Sequence, residues 1–223
     1  GASGSLTLMD KNSRYLGCML GGAVGDALGA PVEFMRWQDI QAKYGPEGIR
    51  SMDTAYGRVG AITDDTQMML FTAEGLLRAR TRQLSKGFCD IPSVVSHAYI
   101  RWLNTQGLHN PELEADTDSW LFDIKELHSR RAPGNTCITA LETATYFGER
   151  ALNDSKGCGG IMRITPVAIA AHCWVAEHES NWAFDLATDL CALTHGHPTG
   201  QLPGGFLAAL LVKLFDNEVL EVA

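Results

Sequence analysis

The sequence lacks a run of apolar residues long enough to cross a bilayer, a cluster of basic residues and a closely spaced pair of cysteines. The apolar run from Leu16 to Leu28 is too short for a membrane span, and Asp26 interrupts it. A net charge of −8 argues against nucleic acid as the main partner and against attraction to an anionic membrane. The six scattered cysteines favour reduced thiols in a cytoplasmic protein over a disulfide framework or a zinc site.

Alternation of apolar and polar residues with period two is scarce, whereas apolar residues recur at helical spacing along most of the chain. The pattern predicts an all-α fold. Residues 63–65 are expected to cap the helix around 68–77, and Thr165 is expected to be the N-cap of another. The other helices are predicted around residues 94–103, 135–146, 182–193 and 205–215.

Glycine is frequent at residues 17–29, where five glycines each weaken a helix by about 1 kcal/mol relative to alanine. One explanation is close helix packing through small residues. The other is that the glycines let the backbone approach a ligand, with Asp26 or Glu33 directed into the site. The segment is not a dinucleotide-binding motif, because no strand precedes it.

Two adjacent carboxylates, Asp64 and Asp65, follow Thr63 at a predicted helix start. Capping is one explanation, since acidic groups favour the positive end of a helix. A single aspartate would suffice for capping, however. A hydroxyl followed by two carboxylates also supplies the hard oxygen ligands that Mg²⁺ or Mn²⁺ prefers.

A glycine-rich segment, residues 153–163, lacks the spacing of a Walker motif. It is either an ordinary turn between helices or a loop whose backbone N–H groups face an anion. A nucleophilic role for Cys158 is disfavoured, because no histidine lies near it in the sequence. His195 and His197 offer too few ligands for zinc, and one of them could donate to a ligand hydroxyl.

These segments together resemble the ADP-ribosylglycohydrolase family. The matching stretches lie at residues 17–34, 60–68, 130–137, 155–168 and 194–198, in the family's order. The resemblance implies an all-α fold, a two-metal Mg²⁺ or Mn²⁺ centre, and hydrolysis of the bond that joins ADP-ribose to a modified side chain or small acceptor. Arginine is the acceptor that the resemblance favours, and the implied partner is an ADP-ribosylated protein or ADP-ribose.

By position, the resemblance also implies roles for single residues. Metal ligation falls to Thr63, Asp64 and Asp65, and a catalytic part falls to Glu33, Asp64 and Asp65. Which of these carboxylates handles the attacking water stays open. The loop that cradles the diphosphate and ribose corresponds to Ser155, Gly157, Cys158 and Gly159, and His195 corresponds to the family's histidine at the distal ribose or adenine.

The match breaks in the C-terminal part, where the family carries a second acidic step, Asp-x-Asp-Thr/Ser, beyond the histidine. The step at 216–218 has the wrong third and fourth residues, and the Asp-x-Asp-Ser at 116–119 lies before the 130–137 segment and is predicted to be surface charge. We therefore expect residues 1–14 to be a tag remnant and flexible N-terminus. Residues 15–223 are expected to form the N-terminal and central part of a single domain with a half-built metal centre.

Two interpretations follow from that departure. In the first, the protein is a glycohydrolase, and the remaining metal ligands come from a part of it that forms a second chain, or from a partner subunit. In the alternative, it is a non-catalytic relative that acts as a binding, immunity or structural protein.

Overall fold

The structure is a computed structural model that describes the backbone of residues 3–216 and the side chains of residues 11–216. Its described part is helical, which confirms the predicted all-α class. One short antiparallel hairpin, β1 (Thr54–Ala55) with β2 (Arg58–Val59), interrupts the helices. The helices are α1 (Ser3–Gly29), α2 (Trp37–Tyr44), α3 (Asp64–Lys86), α4 (Ile91–Thr105), α5 (Asn135–Thr143), α6 (Thr165–Trp174), α7 (Glu179–Ala192) and α8 (Pro198–Phe215).

Several helix boundaries differ from the predicted ones. The cap of α6 is Ile164, so the prediction of Thr165 as N-cap is wrong by one residue. Helix α5 ends at Thr143, before the predicted Tyr146, because the backbone becomes extended at the next residue. Helix α8 begins at Pro198, seven residues before the predicted start, because the His197 side chain accepts from the backbone N–H of Thr199 and caps the helix there.

The core forms where α3 and α4 pack together against α6, α7 and α8. Its largest fully buried side chains include Trp102, Tyr99 and Phe71. The indole of Trp102 donates to Gln67 Oε1 at 3.1 Å, so this buried polar group is satisfied inside the core. The core therefore positions the N-terminus of α3, which carries the acidic residues Asp64 and Asp65.

The glycines of α1 are not explained by close packing against the residues that the structure describes. A Cβ atom at Gly17, Gly21 or Gly25 would meet no atom within 4 Å, and one at Gly22 would meet only the Met69 side chain, at ordinary contact distance. Three large apolar side chains along this part of α1 are exposed as well: Leu16, Leu20 and Val24. Helix α1 therefore presents an apolar face to solvent in the described structure.

All six cysteines are free thiols, of which Cys158 and Cys173 are exposed. Within the part of the chain that the structure describes, no helix combines the length and the apolar character that a membrane crossing requires.

Candidate active site

Asp26, near the C-terminal end of α1, caps the N-terminus of α3. Its Oδ2 accepts from the backbone N–H groups of Thr63 and Thr66 at 2.8 and 3.1 Å, and from the Thr66 hydroxyl at 2.5 Å. Its Oδ1 accepts from the Thr63 hydroxyl at 2.6 Å. A carboxylate is favoured at this position because the helix terminus leaves N–H groups without helical partners and carries partial positive charge. Asp26 thus fixes α1 to α3.

Thr63, Asp64 and Asp65 lie together at the same helix terminus. Thr63 is the N-cap, and its Oγ1 accepts from the Asp65 backbone N–H at 3.3 Å. The Asp64 side chain is buried, and its Oδ2 accepts from the backbone N–H of Gly134 at 3.1 Å. Asp65 is half-buried. The expected capping role therefore belongs to Thr63 and Asp26, which leaves the two adjacent aspartates available for other chemistry.

Burial and neighbouring negative charges raise the pKa of three carboxylates in this cluster. Burial first, and then the charges of Asp65, Glu33 and Asp26, raise the pKa of Asp64 to about 7, against the opposing effect of the Gly134 hydrogen bond. Burial, followed by the charges of Asp26 and Glu33, raises the pKa of Asp65 to about 6. Partial desolvation and then the charge of Asp26 raise the pKa of Glu33, which lies at the exposed edge. Like charges held this close favour a bound cation or a shared proton.

Helix α5 joins the acidic cluster to the glycine-rich loop. Just before its first turn, Gly134 donates to Asp64, and within that turn the Thr136 hydroxyl lies 3.1 Å from Ser155 Oγ. The Arg131 carbonyl accepts from the Asp64 backbone N–H at 3.1 Å. From the sequence, residues 130–137 are only a stretch that matches the family, and no role is predicted for any residue within it. Contacts between residues this far apart in the chain leave no local signal.

The glycine-rich loop lies against His195. A Cβ atom at Gly157 would meet Ser155 Oγ at 3.5 Å and His195 Nε2 at 3.6 Å, which is ordinary contact. A Cβ atom at Gly159 would meet Cys137 Sγ at 2.9 Å and the His195 ring at 3.0 Å, so only glycine fits there. The structure therefore brings Ser155, Gly157 and Gly159 together with His195, which follows almost forty residues later in the chain. Cys158, between the two glycines, has an exposed side chain.

His195 is buried at 1% exposure and held by a polar chain that reaches into the core. Arg163, fully buried over the Tyr99 ring, donates from Nη2 to Thr194 Oγ1 at 2.7 Å, and Thr194 Oγ1 lies 2.8 Å from His195 Nδ1. Burial and then the charge of Arg163 lower the pKa of His195 to about 4. The imidazole is therefore neutral at physiological pH, and a neutral imidazole can either donate a hydrogen bond to a ligand hydroxyl or accept one from it.

The oxygen atoms at the start of α3 fit a hard divalent cation. Asp64 Oδ1 and both carboxylate oxygens of Asp65 accept no hydrogen bond from a residue that the structure describes, although Asp64 is buried. Such oxygens bind Mg²⁺ or Mn²⁺ well. Between residues 11 and 216, however, the structure holds no preformed group of three or more His, Cys, Asp or Glu side chains arranged for a metal ion.

The two acidic steps set aside in the sequence lie elsewhere. Asp116 and Asp118 are exposed in the segment between α4 and α5, away from the acidic cluster. In the step at 216–218, only Asp216 belongs to the described residues, and there it accepts from His172 Nε2 at 2.8 Å.

The sequence of the chain is similar to those of known proteins. A family profile described as ADP-ribosylglycohydrolase matches residues 7–223. The chain is 30% identical over 194 residues to an ADP-ribosyl-[dinitrogen reductase] glycohydrolase of Rhodospirillum rubrum, a match that covers 84% of this chain and 53% of that protein. It is also 30% identical over 163 residues to an uncharacterised protein of Archaeoglobus fulgidus, covering 71% of this chain and 43% of that one.

The chain thus spans about half the length of these relatives. The profile covers nearly all of the chain, including both the acidic cluster and the glycine-rich loop. The chain belongs to the ADP-ribosylglycohydrolase family.

Proposed function

We propose that the complete protein hydrolyses the N- or O-glycosidic bond between ADP-ribose and a modified side chain, with arginine as the favoured acceptor. The observation that carries the proposal is the position of α5, whose N-terminal turn contacts Asp64 through Gly134 and Ser155 through Thr136. A cation on the carboxylate cluster and a glycine-rich loop beside the same helix terminus can together hold the two ends of a single anionic substrate. Family membership supports the same reaction.

In this proposal Thr63, Asp64 and Asp65 hold Mg²⁺ or Mn²⁺. The carboxylate oxygens without hydrogen-bond donors and the raised pKa values of both aspartates support this assignment. Bound there, a divalent cation would act as a Lewis acid on the attacking water, because it stabilises the negative charge that develops on the water oxygen.

The loop at Ser155, Gly157, Cys158 and Gly159 binds the diphosphate and ribose in the proposal. Backbone N–H groups in a glycine-rich turn form a concave site for anions, and no side chain obstructs it at Gly157 or Gly159. In the proposal the Thr194 hydroxyl, which accepts from Arg163, donates to His195 Nδ1 rather than to the Cys191 carbonyl 3.4 Å away. The neutral imidazole then carries its proton on Nε2, where it can donate to a hydroxyl of the distal ribose.

Cleavage then proceeds by transfer of the anomeric carbon to water. The bond from that carbon to the acceptor nitrogen or oxygen breaks as the water oxygen forms a new one. The water loses one proton and the leaving group gains one, so the protons balance. The anomeric carbon carries positive charge in this transition state, so the nearby carboxylates stabilise it. Glu33 takes the water proton in the proposal, because its side chain is the exposed member of the cluster.

The test is release of ADP-ribose from an ADP-ribosyl-arginine substrate by the complete protein, with Mg²⁺ or Mn²⁺ and with EDTA. Asp64→Asn and Asp65→Asn should abolish release, whereas the matched Asp118→Asn, an exposed aspartate outside the cluster, should not change it. Release that persists in EDTA, or in both cluster variants, contradicts the metal assignment. A protein that binds ADP-ribose but releases none from any substrate supports the non-catalytic alternative instead.

A further inference from the structure

A groove lies between the C-terminal half of α3 and the N-terminal half of α4, far from the candidate active site. Its volume is about 1020 Å³, and the segment between α4 and α5 closes one end with Asp116 and Trp120. At a rise of about 1.5 Å per residue, Arg82 lies roughly 25 Å along α3 from Asp65. An occupant of this groove therefore does not touch the acidic cluster.

The α3 wall of the groove carries a basic stripe, which we define as Arg78, Arg82 and Lys86. These residues follow one another at four-residue spacing, so they lie on one face of the helix about 6 Å apart. Arg78 is paired with Glu74 at 3.0 Å, whereas Arg82 and Lys86 form no ion pair with a residue that the structure describes. Two unpaired cations thus face the outer half of the groove in a chain whose net charge is −8.

Arg101 of α4 lies at the inner end of the groove at 1% exposure. Its Nε lies 3.3 Å from Glu74 Oε2, but its Nη2 has no hydrogen-bond partner among the described residues. A buried guanidinium nitrogen without a partner is costly, which makes this end of the groove receptive to a further acceptor.

The protein's own acidic segment already contacts this inner end. The exposed Asp116 carboxylate lies 3.9 Å from Arg78 Nη1 and 4.0 Å from Arg101 Nη1, and Arg78 also donates to the Asp118 carbonyl. In an extended segment, alternate side chains on one face repeat about every 7 Å, close to the spacing of the basic stripe. The contacts of Asp116 therefore show, at one end of the groove, how a carboxylate from another segment can engage these arginines.

Apolar side chains form the rim of the same groove. Leu77, Phe88 and Trp120 are 57%, 75% and 61% exposed. Large apolar side chains beside charged ones are typical of surfaces that bind another protein rather than an inorganic ion. Asp90, the acidic residue at the outer end, is already engaged, because its carboxylate caps α4 by accepting from the Ser93 backbone N–H at 3.1 Å.

We propose that this groove binds an extended acidic segment of a partner protein, with alternate carboxylates on Arg82 and Lys86 and an apolar side chain against Phe88 and Trp120. The negative charge elsewhere on the surface does not prevent an acidic segment from binding. At physiological salt the screening length is about 8 Å, so the nearby cations determine the electrostatic potential in the groove. This surface is independent of the proposed glycosidic activity.

The test uses a library of labelled peptides of about eight residues, with Asp or Glu at alternate positions and one Leu, Phe or Trp, and measures fluorescence anisotropy. Binding to the 223-residue chain should weaken at least about tenfold, or 1.4 kcal/mol, in the Arg82→Glu/Lys86→Glu variant. The control variant, Lys125→Glu/Arg130→Glu, makes the same charge change at exposed residues outside the groove and should leave binding unchanged.

Three outcomes overturn the proposal. One is that no peptide of the library binds. Another is that the peptides bind the charge-reversed groove variant as tightly as the parent chain. The third is that inorganic tripolyphosphate binds the parent chain in a manner that depends on Arg82 and Lys86 while the peptides do not, since the surface would then recognise phosphates. Circular dichroism of each variant separates loss of binding from loss of fold.

Discussion

The backbone N–H of Gly134 donates to Asp64 Oδ2 across a separation of 70 residues, at 3.1 Å. Two residues further on, Thr136 contacts Ser155 of the glycine-rich loop. The N-terminal turn of α5 therefore determines the distance between the acidic cluster and that loop. If the proposed function holds, changes at this turn should affect substrate binding more than they affect folding.

Thr136→Val should weaken ADP-ribose binding several-fold, because the valine retains the shape of the threonine but removes its contact with Ser155. The expected loss corresponds to a net hydrogen-bond contribution of about 0.5–1.5 kcal/mol. Isothermal titration calorimetry of ADP-ribose measures it. Thr139→Val, an exposed position one turn further along α5, is the control and should bind as the parent does. Equal affinities in the two variants would show that Ser155 needs no support from α5.

Gly159→Ala should destabilise the protein by about 1–3 kcal/mol through overpacking. The added methyl group would lie 2.9 Å from Cys137 Sγ and 3.0 Å from the His195 ring. Gly157→Ala, two residues earlier in the same loop, meets only ordinary contacts and should unfold at nearly the same urea concentration as the parent. The account of the loop is wrong if the two variants have the same unfolding midpoint.

Asp26→Ala should lower the free energy of unfolding by about 2 kcal/mol or more, because charged hydrogen bonds of this kind contribute about 1.5–3 kcal/mol each. The substitution leaves the Thr63 and Thr66 donors at the start of α3 without their acceptor. Asp90→Ala, which removes an ordinary N-cap on α4, should cost only about 1 kcal/mol. Urea denaturation of both variants gives the comparison, and a larger loss for Asp90→Ala would contradict the role given to Asp26.

The metal-free protein should become less stable as the pH rises from about 4 to about 7, in part through Asp64. In that window the folded state retains a proton on Asp64 that the unfolded state has released, so rising pH favours unfolding. Asp64→Asn removes this contribution, and the stability difference between parent and variant should therefore shift in favour of the variant as the pH rises. His195, whose pKa is lowered, acts in the opposite sense in both proteins and cancels in the difference.

Thermal unfolding in EDTA across this pH range measures that difference. A constant difference between parent and Asp64→Asn would show that Asp64 titrates normally in the folded state.

Local signals in the sequence predicted most helices. They did not predict helix boundaries at the places where tertiary packing outweighs local helix propensity. The Thr63 cap of α3 was predictable from residue type alone. The early start of α8 was not, because Pro203, Gly204 and Gly205 lie inside this helix, where proline and glycine are unfavourable. In the structure a Cβ atom at the two glycines would collide with the side chains of Cys191 and Thr188 on α7, so glycine is required for the two helices to pack. At these two positions, close packing between the helices outweighs the low helix propensity of glycine.

The same distinction applies to the candidate site. Asp64, Asp65 and the loop residues stood out by residue type and by resemblance, and the structure brings the loop against His195. The parts played by Gly134, Thr136 and Arg163 were not visible, since each depends on a contact between distant parts of the chain.

The most direct test of the account is a titration of ADP-ribose into the complete protein and its Asp64→Asn variant, with Mg²⁺ and with EDTA. We expect tight binding only for the parent protein in Mg²⁺, and a loss of at least about tenfold in affinity when either the cation or the Asp64 carboxylate is removed. Binding of equal strength under all four conditions would contradict the joint site, because the acidic cluster would then take no part in holding the substrate.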